Sequence, residues 1–295
     1  MSRVPQGTVL GPHLFNLYIN DIVKATSSTP RLFADDCIIY RPISSSKDEA
    51  SFQADLDKLI EWSEKWGMKF NTSKCKVMRI TRKRNPGKTN YHMMGNYLEE
   101  VEDNKYLGIT IQNDLKWDKQ SNHAANKASR MLNFIQRNFH SCSKTVKENL
   151  YKTVVQPHLE YANAAWNPGT KKNKGSLQKV QRRAARFVQG DFNPRSSVTK
   201  MLNDLKWDSI ESRRQSQRLV TFHKILHGEI DIPPDNYVQS KPQRSRRGHE
   251  KQFQLFHYTS TPFAQSFFPE TVQLWNELPQ STVDNTNSVK FKLAI

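Results

Sequence analysis

The chain has 295 residues, with 45 Lys+Arg against 28 Asp+Glu, a net charge of +17, and 36% hydrophobic and 10% aromatic residues. Mean hydropathy is −0.77. That length allows one large domain or two ordinary ones, and the aromatic content argues against disorder throughout. No run of 18 apolar residues occurs, which excludes a transmembrane helix. No apolar segment follows Met1, so no signal peptide is expected.

The three cysteines, Cys37, Cys75 and Cys142, form no CxxC pair. They fit a reducing, intracellular setting, nuclear or cytoplasmic. His140 and Cys142 have no partner pair at zinc spacing.

In chain order, residues 1–12 read as a Pro/Gly-punctuated loop. His13–Ala25 carries Leu14, Leu17, Tyr18 and Ile22 at helical spacing, with Pro12 at its start. Two short apolar runs, Arg31–Ala34 and Cys37–Tyr40, flank Asp35-Asp36, the pattern of a hairpin with carboxylates at its tip. Asp48–Trp66 reads as an amphipathic helix with Phe52, Leu56, Leu59, Ser63 and Trp66 on one face, stopped by Gly67. Lys76–Thr81 and Tyr106–Ile111 read as strands, the second with Gly108 where something approaches closely. After Trp117 helical periods take over, at Lys119–Phe139, Lys144–Val155, Pro157–Trp166, Ser176–Gln189 and Trp207–Leu226. Pro233–Arg247 reads as a linker, and the aromatic-sprinkled tail as irregular.

Charge is uneven. Residues 1–110 hold 16 basic and 13 acidic residues, whereas 111–295 hold 29 and 15. Lys171, Lys172, Lys174, Lys179, Arg182, Arg183 and Arg186 fall in one acid-free run, and Lys241, Arg244, Arg246, Arg247 and Lys251 form a second basic run. Either run alone is equally a solvated face. Two such runs on so basic a chain favour nucleic acid as partner over a membrane surface, which needs a broad apolar face.

Adjacent carboxylates on a tight turn repel one another, and a divalent cation relieves this. Hard Mg²⁺ (or Mn²⁺) takes oxygen ligands and leaves positions for phosphate oxygens. Aspartate is also simply a favoured turn residue. The order of motifs decides between these readings. Val4–Phe15, Tyr18-Ile19-Asn20-Asp21, Phe33-Ala34-Asp35-Asp36, Gly67–Cys75 and Tyr106–Ile109 together resemble the palm of reverse transcriptases from non-LTR retrotransposons of the LINE and jockey kind. Residues Tyr151–Pro157, Leu159–Ala162, Trp166, Gln178–Arg183 and Phe268–Pro279 are similar to the region after the palm.

The resemblance implies an RNA-directed DNA polymerase that uses an RNA template, a DNA primer and dNTPs through two-metal nucleotidyl transfer. Its implied fold is an α/β palm remnant with an antiparallel sheet over 1–112, a helical thumb-like region over 113–230, and a linker and tail over 231–295. By resemblance Asp35 binds catalytic Mg²⁺, and Asp36 is a weaker ligand or a charge that shapes the turn. Gln6 and Gly7 position template and nucleotide. Lys74 is either a group beside the triphosphate or a surface lysine. Tyr106, Leu107 and Gly108 support the primer end or are ordinary strand residues. The basic run from Lys171 to Arg186 grips the duplex backbone.

The family's further aspartate, in an upstream F/Y-x-x-x-D motif, has no room before Gln6. The expectation is therefore a C-terminal piece, weakly active or inactive alone, with an exposed sheet edge and apolar surface. Two alternatives are a non-enzymatic nucleic-acid-binding remnant and an interaction protein whose basic runs are localisation signals.

Overall fold

The computed structural model describes residues 7–84, 87, 89–242 and 248–295. The chain divides into two units, Met1–Asn104 and Lys105–Ile295.

In the first unit, helix α1 (Leu10–Ile19) runs into a single 3₁₀ turn, Asn20–Lys24. A two-stranded antiparallel ribbon follows, β1 (Thr29–Phe33) and β2 (Asp36–Tyr40). Helix α2 (Ser46–Lys65) begins where the Asp48 carboxylate accepts the Ser44 and Ser45 amides, at 3.0 and 2.9 Å. It ends at Gly67, whose φ of 65° only glycine adopts freely. The helix buries Leu56, Leu59 and Trp62, against which Leu32 and Ile39 of the ribbon pack.

The expected strand over Lys76–Thr81 is shorter. Only β3 (Lys76–Val77) forms, parallel to β6 (Glu99–Glu100), while β4 (His92–Met93) and β5 (Asn96–Tyr97) make a small antiparallel hairpin. Each sheet among the described residues has two strands and one pair is parallel, so the expected antiparallel sheet is reduced to ribbons. Helix α1 leaves Leu10, Leu14 and Leu17 exposed.

The strand expected over Tyr106–Ile111 is instead two strands, β7 (Asp103–Tyr106) and β8 (Ile109–Gln112), joined by Leu107-Gly108 with φ of 45° and 81°. Paired positive φ values are those of a tight primed turn.

The second unit is otherwise helical. Helices α3 (Asp118–Asn138), α4 (Lys144–Leu150), α5 (Gln156–Glu160), α6 (Lys171–Gln189), α7 (Val198–Asp204) and α8 (Ile210–Leu226) succeed one another. Ala124, Ala128 and Leu132 of α3 meet Leu177, Val180 and Ala184 of α6 in its main core. A π-helical stretch, Tyr151–Val155, joins α4 to α5. Pro157 explains it: its ring crowds the carbonyl four residues back and it donates no hydrogen bond.

Helix α5 stops at Glu160 rather than running to Trp166. The loop after it has Ala162 at φ 51°, and buried arginines from α8 satisfy its carbonyls. Arg214 donates to the oxygens of Leu159 and Trp166 at 2.9 and 2.5 Å, and Arg218 to that of Asn163 at 3.4 Å. Desolvation lowers the Arg214 pKa to about 10. Helix α6 starts five residues before the expected Ser176, because Thr170 caps it by accepting the Asn173 amide at 3.2 Å.

The tail is not irregular. Helices α9 (Thr261–Ala264), α10 (Phe267–Asn276), α11 (Gln280–Val283) and α12 (Ser288–Ala294) bring Val272, Trp275, Val283 and Phe291 against Leu219 and Phe222 of α8. The aromatics that look scattered in sequence come from several short helices onto one face of α8. The end of the expected linker, including Arg244, Arg246 and Arg247, lies outside the described residues.

Candidate metal centre and nucleic-acid surface

Strand register sets the geometry of the ribbon tip. Phe33 pairs with Asp36, leaving Ala34 and Asp35 as a two-residue turn. Ala34 has φ 50°. A left-handed alanine costs about 1–2 kcal/mol, so the surrounding fold must hold the turn in this shape. Asp35 lies in the turn and Asp36 begins β2. Both are exposed, and neither pairs with a lysine or arginine among the described residues. Facing residues of the register share a side, so Asp36 lies on the outer face with Phe33, Arg31 and Tyr40, while Leu32 and Ile39 face the core.

Sequence reasoning missed the group that braces this ribbon. Asp55 on α2 is 1% exposed. Its carboxylate accepts the amides of Ser27 and Ser28 at 3.0 and 2.8 Å and the Ser28 hydroxyl at 2.6 Å. Arg41 Nη1 donates to the same carboxylate at 3.3 Å. Ser28 precedes β1 and Arg41 follows β2, so one buried carboxylate ties down both ends of the ribbon. Burial acts to raise its pKa, but the amide and hydroxyl hydrogen bonds outweigh this and hold it below the usual carboxylate value. An acidic residue on the buried face of a predicted amphipathic helix was the signal available.

A second acid, Asp21, accepts the indole N–H groups of Trp62 and Trp66 at 2.8 and 3.1 Å. It ties the segment after α1 to α2.

Lys74 sits in a closed turn. Its amide donates to the Asn71 oxygen at 2.9 Å, and its exposed side chain has no hydrogen bond or ion pair among the described residues. The next residue, Cys75, neighbours Cys37 on β2. Burial raises the Cys37 thiol pKa and the Cys75 sulfur adds to the rise. Gly7 has φ 87° with open space where a Cβ would stand, and Gln6 lies outside the described residues.

The remaining candidates belong to the second unit. The Leu107 oxygen accepts the Tyr161 hydroxyl at 3.0 Å, and a Cβ on Gly108 would meet the Tyr161 ring at 3.1 Å. The expected close approach at Gly108 is therefore made by Tyr161.

On α6, the positions divide by role. Lys174 pairs with Glu211 at 2.6 Å. Arg183 donates to Asn133 Oδ1 at 2.6 Å. Arg186 donates to the oxygen of Asn193 at 2.7 Å. Lys171, Lys172, Lys179 and Arg182 are exposed with no partner among the described residues. Lys179, Arg182, Arg183 and Arg186 line a groove of about 380 Å³.

Among the described residues no group of three or more His, Cys, Asp or Glu could hold a metal ion. Two exposed carboxylates are nevertheless the donor set that suits Mg²⁺, which takes one or two protein carboxylates and completes its shell with water and substrate phosphates. Carboxylates on the ribbon are donors that suit a divalent cation, and free cations on α6 are groups that suit phosphates.

Comparison with known proteins gives the same direction. Residues 1–111 match the family described as reverse transcriptase (RNA-dependent DNA polymerase). The chain is 28% identical over 264 residues to a probable RNA-directed DNA polymerase from transposon X-element of Drosophila melanogaster, covering 82% of this chain and 27% of that protein. It is 27% identical over 208 residues to the RNA-directed DNA polymerase from mobile element jockey of the same species, covering 64% and 22%. A probable RNA-directed DNA polymerase from transposon BS is 26% identical over 244 residues, covering 76% and 27%. By these similarities the chain is related to the reverse transcriptases of LINE-type, non-LTR mobile elements. It spans about a quarter of the length of these relatives.

No helix among the described residues is long and apolar enough to cross a membrane.

Proposed function

We propose that this chain is part of an RNA-directed DNA polymerase in which the ribbon tip holds a divalent cation against the phosphates of an incoming dNTP. The observation that carries this reading is the exposed Asp35-Asp36 pair, unpaired among the described residues, on a turn whose ribbon is anchored at both ends by Asp55. Asp35 and Asp36 would hold Mg²⁺ or Mn²⁺, which would stabilise charge on the transferred phosphoryl group and the leaving pyrophosphate. Lys74 would neutralise pyrophosphate, and the open backbone at Gly7, with Gln6, would receive the base pair. Residues 1–112 act as palm, 113–230 as a thumb, and 231–295 as a linker and tail. Tyr106, Leu107 and Gly108 support the primer end, and the free cations of α6 take the backbone of the template–primer duplex.

The described residues supply two acidic ligands rather than three. A two-metal site has no shared bridging carboxylate from them, so the 295 residues alone are proposed to extend primers weakly or not at all. The same observation favours a second reading, a nucleic-acid-binding protein without chemistry, whose basic helical unit binds in a strongly salt-dependent way. The compartment proposed is intracellular, nuclear or cytoplasmic.

The test is extension of a DNA primer on an RNA template with Mg²⁺ or Mn²⁺. It is run on this chain and on the chain joined to a segment that carries the upstream aspartate motif the resemblance implies. Extension by the joined protein that Asp35→Ala abolishes supports the reading. Extension unaffected by Asp35→Ala removes the metal assignment, and salt-dependent binding without extension in either protein favours the second reading.

A further inference from the structure

The loop that follows α6 carries an aromatic side chain whose exposure the core does not explain. Gly190 ends the helix at φ 69°. The chain then turns through Asp191, Phe192 and Asn193, and Phe192 is 63% exposed. Single exposed apolar residues are ordinary and by themselves mean nothing. Here the backbone on both sides of the ring is fastened. Arg186 donates to the oxygens of Asp191 at 3.4 Å, Asn193 at 2.7 Å and Ser196 at 3.3 Å. The Asp191 carboxylate accepts the Asn193 amide at 2.9 Å, and the Asn193 side chain accepts the Arg195 amide at 3.0 Å. The loop presents Phe192 outward from a rigid frame.

The arginine that makes this frame also lines the α6 groove with Lys179 and Arg182, which are exposed and unpaired among the described residues. A fixed, solvent-facing aromatic at the end of a row of free cations suits one ligand chemistry. Cations take successive phosphates, and the ring takes the face of a base that is not already stacked. A duplex has no such base within its length. A second protein would need acidic groups to match the row and would bury the ring among apolar side chains, whereas Phe192 stands in a loop of polar residues.

We propose that Phe192 is a stacking platform for an unpaired base of single-stranded nucleic acid whose backbone follows the Lys179–Arg182 row of α6. This rests on the nucleic-acid reading above and adds to it a preference for unpaired over paired strands at this site. The strand is DNA or RNA, and the experiment separates the two.

The measurement is fluorescence anisotropy of the full chain with labelled 12-nucleotide single strands of mixed sequence, one DNA and one RNA, and with their blunt DNA–RNA hybrid. Phe192→Ala should weaken single-strand binding about 10-fold, as loss of one stacked base does. It should change hybrid binding less than twofold and leave the salt dependence untouched. Phe192→Tyr should restore single-strand binding, and Phe192→Ala should keep the wild-type thermal midpoint because the ring is mostly exposed. Lys179→Glu/Arg182→Glu should weaken single strand and hybrid together and flatten the salt dependence. Equal affinity of Phe192→Ala and wild type for both single strands overturns the platform while leaving the nucleic-acid reading intact. Failure of the wild-type chain to bind any of the three oligonucleotides overturns both.

Discussion

Replacing Asp55 with alanine removes the acceptor shared by both ends of the β1–β2 ribbon. Ser27 is exposed and Arg41 half-buried, so their donors regain water. The Ser28 amide and hydroxyl do not, because Ser28 is 6% exposed. Two buried donors left unsatisfied, at about 1–3 kcal/mol each, give a loss of about 2–6 kcal/mol in the first unit. Asp55→Asn keeps one acceptor oxygen and loses the charge that attracts Arg41, so it should fall between alanine and wild type. The assay is equilibrium urea denaturation, paired with hydrogen exchange of amides 29–40. The expected result is a lower midpoint and faster exchange confined to the ribbon. The pH dependence has a definite sign. The folded pKa of Asp55 is depressed, so its contribution is complete above the unfolded value of about 3.8. It is lost as pH falls from there through the folded value. A wild-type midpoint and unchanged exchange in Asp55→Ala would refute the bracing argument.

Three further outcomes are expected. Ala34→Val should lose about 1–2 kcal/mol, since a branched side chain at φ 50° adds to left-handed strain. Ala34→Gly should change stability by under about 0.5 kcal/mol, because relief of strain is offset by greater unfolded freedom; equal denaturation midpoints for valine and wild type would contradict the strain. Gly108→Ala should lower the thermal midpoint, by the left-handed penalty of about 1–2 kcal/mol at φ 81° plus a Cβ meeting Tyr161 at 3.1 Å; an unchanged midpoint would show that Tyr161 moves away freely. His223 is buried against His227 and Phe291, with Glu229 and Lys251 also acting on it, and burial lowers its pKa. Its neutral form is favoured in the fold, so stability of the second unit should fall as pH drops below about 6.5. Urea midpoints that are equal at pH 5.5 and 7.5 would contradict this.

Local patterning carried the sequence reading well where a segment both forms and packs by itself. The ribbon around Asp35-Asp36 and helices α2, α3 and α8 lie close to their expected positions, because apolar periodicity and stop signals such as Gly67 act within one element. Boundaries set by distant partners were not legible. The stop of α5 at Glu160, short of Trp166, depends on arginines about 50 residues further along, which satisfy the loop carbonyls only once α8 is packed. The helical tail depends on the surface of α8, and its short elements carry too few periods to stand out. Motif order singles out Asp35, Asp36 and Lys74 as candidates, whereas Asp55 was hidden because its role is a long-range hydrogen bond to Ser27 and Ser28. The basic run of α6 was visible as charge. Its division into free cations and structural arginines appeared only with partners such as Glu211 and the Asn193 carbonyl.

The central claim is that the ribbon tip holds a divalent cation, and Mn²⁺ titration of the isotope-labelled chain followed by NMR tests it most directly. Paramagnetic broadening should strike the amides of residues 33–37 first and should vanish in Asp35→Ala/Asp36→Ala, while Mg²⁺ should compete it away. Broadening that begins elsewhere, or that persists at residues 33–37 in the double variant, would contradict the account.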